Sequence, residues 1–237
     1  MNLLAIDAST EACSVALNFN GKQYSRFELC PQSHSLVLLP MVDEVLKEAS
    51  CELSQLDGLV FGQGPGSFTG VRIGIGVAQG LAFAADLQVV GVSTLQAMAQ
   101  QAFRVHQQVN VVAAIDARMS EIYTGHYQAN EDGIMVSSSK DMVLAPELAA
   151  EKLFAESTGN VSSANCYGVG TGWGAYKETL SIEKLNADTP DILFPNAIDM
   201  LTIAQPQFEQ GKAVSAEHAQ PVYVRDTVSW KKLPGRE

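Results

Sequence analysis

No lysine occurs between Lys47 and Lys140, although that interval holds the glycine-rich stretch Gly62–Gly80, GQGPGSFTGVRIGIGVAQG, with seven of the chain's 19 glycines. A phosphate-binding loop of the GxxxxGK[ST] type needs a lysine beside its Ser or Thr, so this stretch is not one. Cationic residues are scarce throughout: 15 Lys and Arg stand against 26 Asp and Glu, a net charge of -11. That balance repels a phosphate backbone and speaks against stand-alone binding to nucleic acid; an RNA role would need a basic partner. Cysteine is sparse too. Cys13, Cys30, Cys51 and Cys166 are widely separated and form no CxxC pair, which suggests neither a zinc knuckle nor a disulfide framework and favours a reducing cytoplasm. The start, MNLLAIDAST, lacks a basic segment and meets Asp7 after a few apolar residues, so neither a signal peptide nor a membrane span is expected. What is present is 237 residues, 46% hydrophobic and 17% charged, enough to bury a core as one large domain or two smaller ones.

Residues 2–9, 13–19 and 23–29 read as three consecutive strands, with Asn20-Gly21 as a hairpin turn between the second and third. A helix is expected from Ser33 to Ala49, with Ser33 or Ser35 as N-cap and Pro40 kinking it or resetting its start. Strand 56–62, helix 67–85, strand 88–93 and helix 94–107 follow. This order is that of a ribonuclease-H-like domain. After His106-Gln107-Gln108 the programme restarts with NVVAAIDA at 110–117, a strand at 121–128 and a short one near 134–136, so that Asp7 and Asp116 end equivalent first strands. Helices are expected near 146–155 and 196–210, and Val222–Val224 are expected to pack. An internal duplication is therefore predicted: residues 1–108 plus 212–237 as one domain, and 109–211 as a second, degenerate copy.

The segment IDAST (Ile6–Thr10) followed by CSVAL resembles the first phosphate loop of the actin, Hsp70 and sugar-kinase (ASKHA) superfamily, though an ordinary hairpin uses Ser and Thr similarly. Together with SHSLVLLPMV (Ser33–Val42), GPGSFTGVRIG (Gly64–Gly74), IDARMSEIYTG (Ile115–Gly125) and PVYVR (Pro221–Arg225), it resembles the bacterial TsaB family, also called YeaZ, over essentially the whole chain. The resemblance implies two ribonuclease-H-like domains of the ASKHA superfamily. It also implies a cytoplasmic, non-catalytic subunit of the machinery that makes threonylcarbamoyladenosine at position 37 of transfer RNA. Such a subunit dimerises with the catalytic relative TsaD, is joined by the ATPase TsaE, and meets tRNA only through the complex. No catalytic residue, metal or required cofactor is expected in the chain itself; ATP or ADP is expected at most at the partner interface, with Asp7, Ser9 and Thr10 as candidate nucleotide-binding residues.

The residues agree with that implication. TsaD-type enzymes hold a metal through HxxxH after the fifth strand, where this chain has Thr94 and Met98. His34, His106, His126 and His218 show no HExxH or HxxxH spacing, against a glycoprotease-like metallopeptidase. A small-molecule kinase or ATPase needs a second phosphate loop, but Asp116–Glu121 carries two carboxylates and no glycine; Arg118 there serves either an anion or an ion pair with Asp116 or Glu121. Gly168, Gly170 and Gly172 suit either an adenosine or a plain turn. Four glycines within the helix after Ser67 each cost about 1 kcal/mol against Ala, which close packing would offset. Phe68, Arg72, Ile75, Gln79 and Phe83 on that helix, with Leu38, Met41, Val42 and Val45 on the first, are the expected surface for TsaD or a second copy; packing under the second domain is the alternative. The tail with Arg225, Trp230, Lys231, Lys232 and Arg236 is either a partner or tRNA contact or a solvated terminus.

Overall fold

The computed structural model describes residues 1–155, 166–180 and 190–225. Its first sheet has the order β3-β2-β1-β4-β5, built from β1 (Leu3–Asp7), β2 (Ala12–Phe19), β3 (Lys22–Leu29), β4 (Gly58–Gly64) and β5 (Val89–Ser93). β1 is buried on both faces, as its continuous apolar run requires. It pairs antiparallel with β2 and parallel with β4. The Asn20-Gly21 turn has positive φ at both residues, 51° and 75°, the twist a two-residue hairpin needs.

The second sheet contains β6 (Asn110–Asp116), β7 (Ile122–Ala129), β8 (Met135–Ser137), β9 (Met142–Leu144) and β10 (Tyr167–Val169), ordered β10-β6-β7-β8 with β9 also on β7. β6 pairs antiparallel with β7 and parallel with β10, so Asp116 ends an internal strand as Asp7 does. These are the two α/β sheets expected, the first in the strand order of a ribonuclease-H-like domain. β9 carries no sequence signal beyond three residues. The tail beyond Arg225, for which a partner or tRNA contact is the alternative to a solvated terminus, lies outside the described residues.

Helices α1 (His34–Ala49) and α2 (Phe68–Ala84) cover one face of the first sheet, where Leu38, Met41, Val42, Val45, Val71, Ile75 and Ala78 meet Leu4, Ile6 and Val15 in one core. Pro40 neither breaks α1 nor resets its start; the helix runs through it. On the other face Met200, Leu201 and Ile203 of α6 (Ala197–Glu209) pack on Leu3, Ala5 and Val90. α6 thus lies on the first sheet, although its residues fall within 109–211. Conversely, Leu95, Met98 and Ala102 of α3 (Thr94–His106) sit in the core of the second sheet. α4 (Pro146–Ala155) and α5 (Gly172–Ala175) flank that sheet's opposite face around Trp173. Where α3 meets α6, the fully buried Asp199 accepts two hydrogen bonds from Arg104, at 2.7 and 2.9 Å. No helix among the described residues is long and apolar enough to cross a membrane.

Candidate functional site

The chain leaves β1 at Asp7 and turns through Ala8–Glu11 into β2. One Asp7 oxygen accepts from the Ser9 N–H and hydroxyl, both at 3.0 Å, and the Ser9 hydroxyl in turn accepts from Thr94 at 2.9 Å. The other Asp7 oxygen is buried without a hydrogen-bond partner. Burial is the main cause of a carboxyl pKa pushed up to about 6, with the Ser9 bonds and nearby His34 opposing it. Ser9 and Thr10 are themselves buried, and the Thr10 carbonyl accepts from His34 Nε2 at 2.6 Å.

The glycine-rich stretch fits its helix against this turn. A Cβ at Gly66 would overlap the Ser9 carbonyl and one at Gly70 the Ala8 carbonyl, while the Ser67 N–H donates to the Ser9 carbonyl at 2.7 Å. Ser67 is the N-cap of α2, its hydroxyl accepting from the Gly70 N–H at 3.3 Å. These glycines therefore serve backbone approach. Gly76 and Gly80 differ: nothing lies within 4 Å of a Cβ built on either.

Opposite this turn stands the β6–β7 hairpin, in which Arg118, Met119 and Ser120 all take left-handed backbone angles, 56° to 62° in φ, a strained run for residues with side chains. Its charges are mutually engaged. Arg118 pairs with Asp116 at 3.2 Å and with Glu11 across the cleft at 3.1 Å, whereas Glu121 pairs with Arg225 at 2.5 Å. The segment Pro221–Arg225 closes the third side. Val222 donates its N–H to the Gln63 carbonyl at 2.8 Å. Val222 and Tyr223 stay about half exposed, at 46% and 53%, rather than packing inward as expected. Arg72 lies 3.2 Å from the Phe68 ring centroid and 5.2 Å from that of Tyr223. The enclosed cleft has a volume of about 820 Å³.

Asp7, Ser9 and Thr10 are thus brought to one turn, with Ser9 and Thr10 on the cleft wall, but the groups that would meet a phosphate are bonded within the protein. Thr94 and Met98 are core residues. His106 and His218 lie beside Asp191 and Ser215, and His126 beside Asn110. A grouping that the sequence spacing did not reveal is Cys13, Cys30 and His34, all buried, with ligand atoms within 4.8 Å of one another. The available signal was Cys30-x3-His34 across a strand-to-helix turn.

The expected partner surface is corrected in part. Leu38, Met41, Val42 and Val45 face the sheet, and Ile75 is only 5% exposed; one apolar stripe cannot cover the sheet and also meet a partner. Gln79 is half-buried and donates to the Ala219 carbonyl at 3.0 Å. The outer surface of α2 presents Phe68, 68% exposed, and Phe83, 81% exposed, with Arg72, Gly76 and Gly80. α1 presents Leu36 and Leu39.

A family model described as TsaD, tRNA N6-adenosine threonylcarbamoyltransferase, matches residues 28–232. The chain is similar to the tRNA threonylcarbamoyladenosine biosynthesis protein TsaB of Escherichia coli K12, 48% identical over 237 residues covering the whole of both. It is 45% identical to the TsaB protein of Haemophilus influenzae, over 100% of this chain and 99% of the other. Among solved structures it resembles YeaZ from Pseudomonas aeruginosa, with a TM-score of 0.80 and 44% identity over 94% of this chain and 99% of that one.

Proposed function

The chain belongs to the TsaB family of tRNA threonylcarbamoyladenosine biosynthesis proteins, and from that premise we propose that it acts there as a non-catalytic subunit whose α2 surface docks a TsaD-type enzyme. The observation that carries the proposal is the outer surface of α2. Two large aromatic side chains stand in solvent beside two mid-helix glycines that no contact among the described residues explains. Glycine on a helix surface lets a second helix approach to backbone contact, and aromatic anchors supply the area a partner buries. A TsaD-type subunit, built on the same architecture, supplies the facing helix; a second copy of this chain takes its place when that subunit is missing. The TsaE-type ATPase joins the pair, tRNA is met only through the assembly, and the work is done in the cytoplasm.

The absence of catalysis is supported by the cleft. Its carboxylates at the hairpin neutralise its own arginines, and Ser9 is committed to Asp7 and Thr94. An ATP or ADP molecule at the partner interface would instead meet Arg72 between Phe68 and Tyr223. A kinase or ATPase acting through Asp7, Ser9 and Thr10 would show turnover in the isolated chain that is lost in Asp7→Ala.

Phe83→Glu tests the proposal. A charge buried unpaired at the contact should cost several kcal/mol of association, while at an 81% exposed position it should leave the fold intact. The expected result is a folded chain that no longer co-purifies with the TsaD-type subunit and no longer supports tRNA modification in a reconstituted reaction. Unchanged co-purification would place the interface elsewhere. Ile75→Glu is not a usable variant, because Ile75 belongs to the core.

A further inference from the structure

We propose that Cys13, Cys30 and His34 form a tetrahedral zinc site where β2, the end of β3 and the start of α1 converge, with its fourth position open to water or a ligand from the cleft. Two thiolates and an imidazole are the donor set that soft tetrahedral zinc sites use. The three ligand atoms lie within 4.8 Å of one another. A zinc ion with sulfurs at about 2.3 Å spaces its ligands by roughly 3.5–4 Å, so small side-chain rotations close the site.

The fold builds this grouping. Cys13 pairs across the hairpin with Glu28, and the Cys30 N–H continues the ladder by donating to the Glu11 carbonyl at 3.0 Å. Cys13 and Cys30 are therefore diagonal neighbours on one face. The turn after Cys30, in which the Ser33 N–H donates to the Cys30 carbonyl at 2.9 Å, starts α1 at His34. His34 Nε2 donates to the Thr10 carbonyl at 2.6 Å. That is the outer hydrogen bond that orients ligating histidines, and it leaves Nδ1 with its lone pair for an ion.

Binding balances as one Zn²⁺ replacing the protons of two thiols, giving a neutral ZnS₂N centre and two released protons. Affinity should therefore fall as pH falls. His34 lines the cleft, so the ion would pin the turn before α1 at the cleft edge.

The test uses the full chain, metal-depleted and held in a non-thiol reductant, titrated with Co²⁺. One equivalent should produce thiolate-to-cobalt charge-transfer absorption and the intense visible bands of a tetrahedral site, and Zn²⁺ should displace the cobalt. Cys30→Ser and His34→Asn, each confirmed as folded by thermal unfolding, should lose or shift these bands. The double variant Cys51→Ser with Cys166→Ser should keep them. Absence of the bands in the reduced wild-type chain overturns the proposal whatever the variants do, as does their persistence unchanged in Cys30→Ser. Detection of a Cys13–Cys30 disulfide under the same reductant would overturn it in favour of a redox pair.

Discussion

Asp7 is the residue at which the fold sacrifices stability. Its carboxyl is buried, accepts hydrogen bonds on one oxygen only, and is held with a pKa near 6 against an ordinary 3.8, burial being the chief cause. A folded-state pKa above the unfolded one means that the native chain binds more protons between those values, so stability falls as pH rises from about 4 to 6 and then levels. The shift corresponds to on the order of 3 kcal/mol. Asp7→Asn should keep the bonds from Ser9, flatten that stretch of the pH profile and raise stability above pH 6 by about 1–3 kcal/mol, measured by urea unfolding of metal-depleted protein across a pH series. A profile identical to wild type would show that the carboxyl is not desolvated. Asp7 was legible in the sequence, because an acidic residue ending an apolar strand stands out. The cysteine and histidine grouping was not: a hairpin must first fold to bring Cys13 beside Cys30, and only CxxC-type spacing announces such sites in one dimension.

Strands and helices were legible because their periods are, and the boundaries of β2, α3 and α4 fall within a residue or two of expectation. What failed was the choice of exposed surface on α1 and α2. Spacing by sevens set Arg72, Gln79 and Asp86 on one stripe with Ile75 beside it, but at 100° per residue Ile75 lies about 60° round the helix from Arg72, on the sheet side. Gly76 lies about 40° to the other side, among the exposed residues. The helix glycines also divide: Gly70 cannot accept a Cβ because of the Ala8 carbonyl, whereas Gly76 and Gly80 can. Glycine in a helix interior costs about 0.5–1 kcal/mol relative to Ala. Gly76→Ala with Gly80→Ala should therefore raise the unfolding free energy of the isolated chain by about 1–2 kcal/mol, while weakening its association with a TsaD-type subunit. Paired measurements by thermal unfolding and calorimetric titration would check this. A variant that gained stability and kept full affinity would remove the glycines from the interface.

At the scale of the whole molecule, two sheets exchange helices across Arg104 and Asp199, and the cleft between the turn at Asp7 and the β6–β7 hairpin is ringed by charges that cancel one another. The net charge of -11 then dominates any approach to RNA. Proteins that grip nucleic acid alone do so by releasing counterions with clustered cations, reaching non-specific Kd values of about 10⁻⁴–10⁻⁶ M at physiological salt. Residues 225–237 hold a local excess of positive charge, Arg225, Lys231, Lys232 and Arg236 against Asp226 and Glu237, and Arg225 is already paired with Glu121. The isolated chain should therefore bind tRNA more weakly than about 10⁻⁴ M at physiological salt, read by fluorescence anisotropy of labelled tRNA over a salt series. On the proposed function, binding should appear when the TsaD-type subunit is added. Micromolar binding by the chain alone, falling steeply with salt, would refute this. Loss of that binding on deletion of residues 230–237 would then assign the contact to the tail.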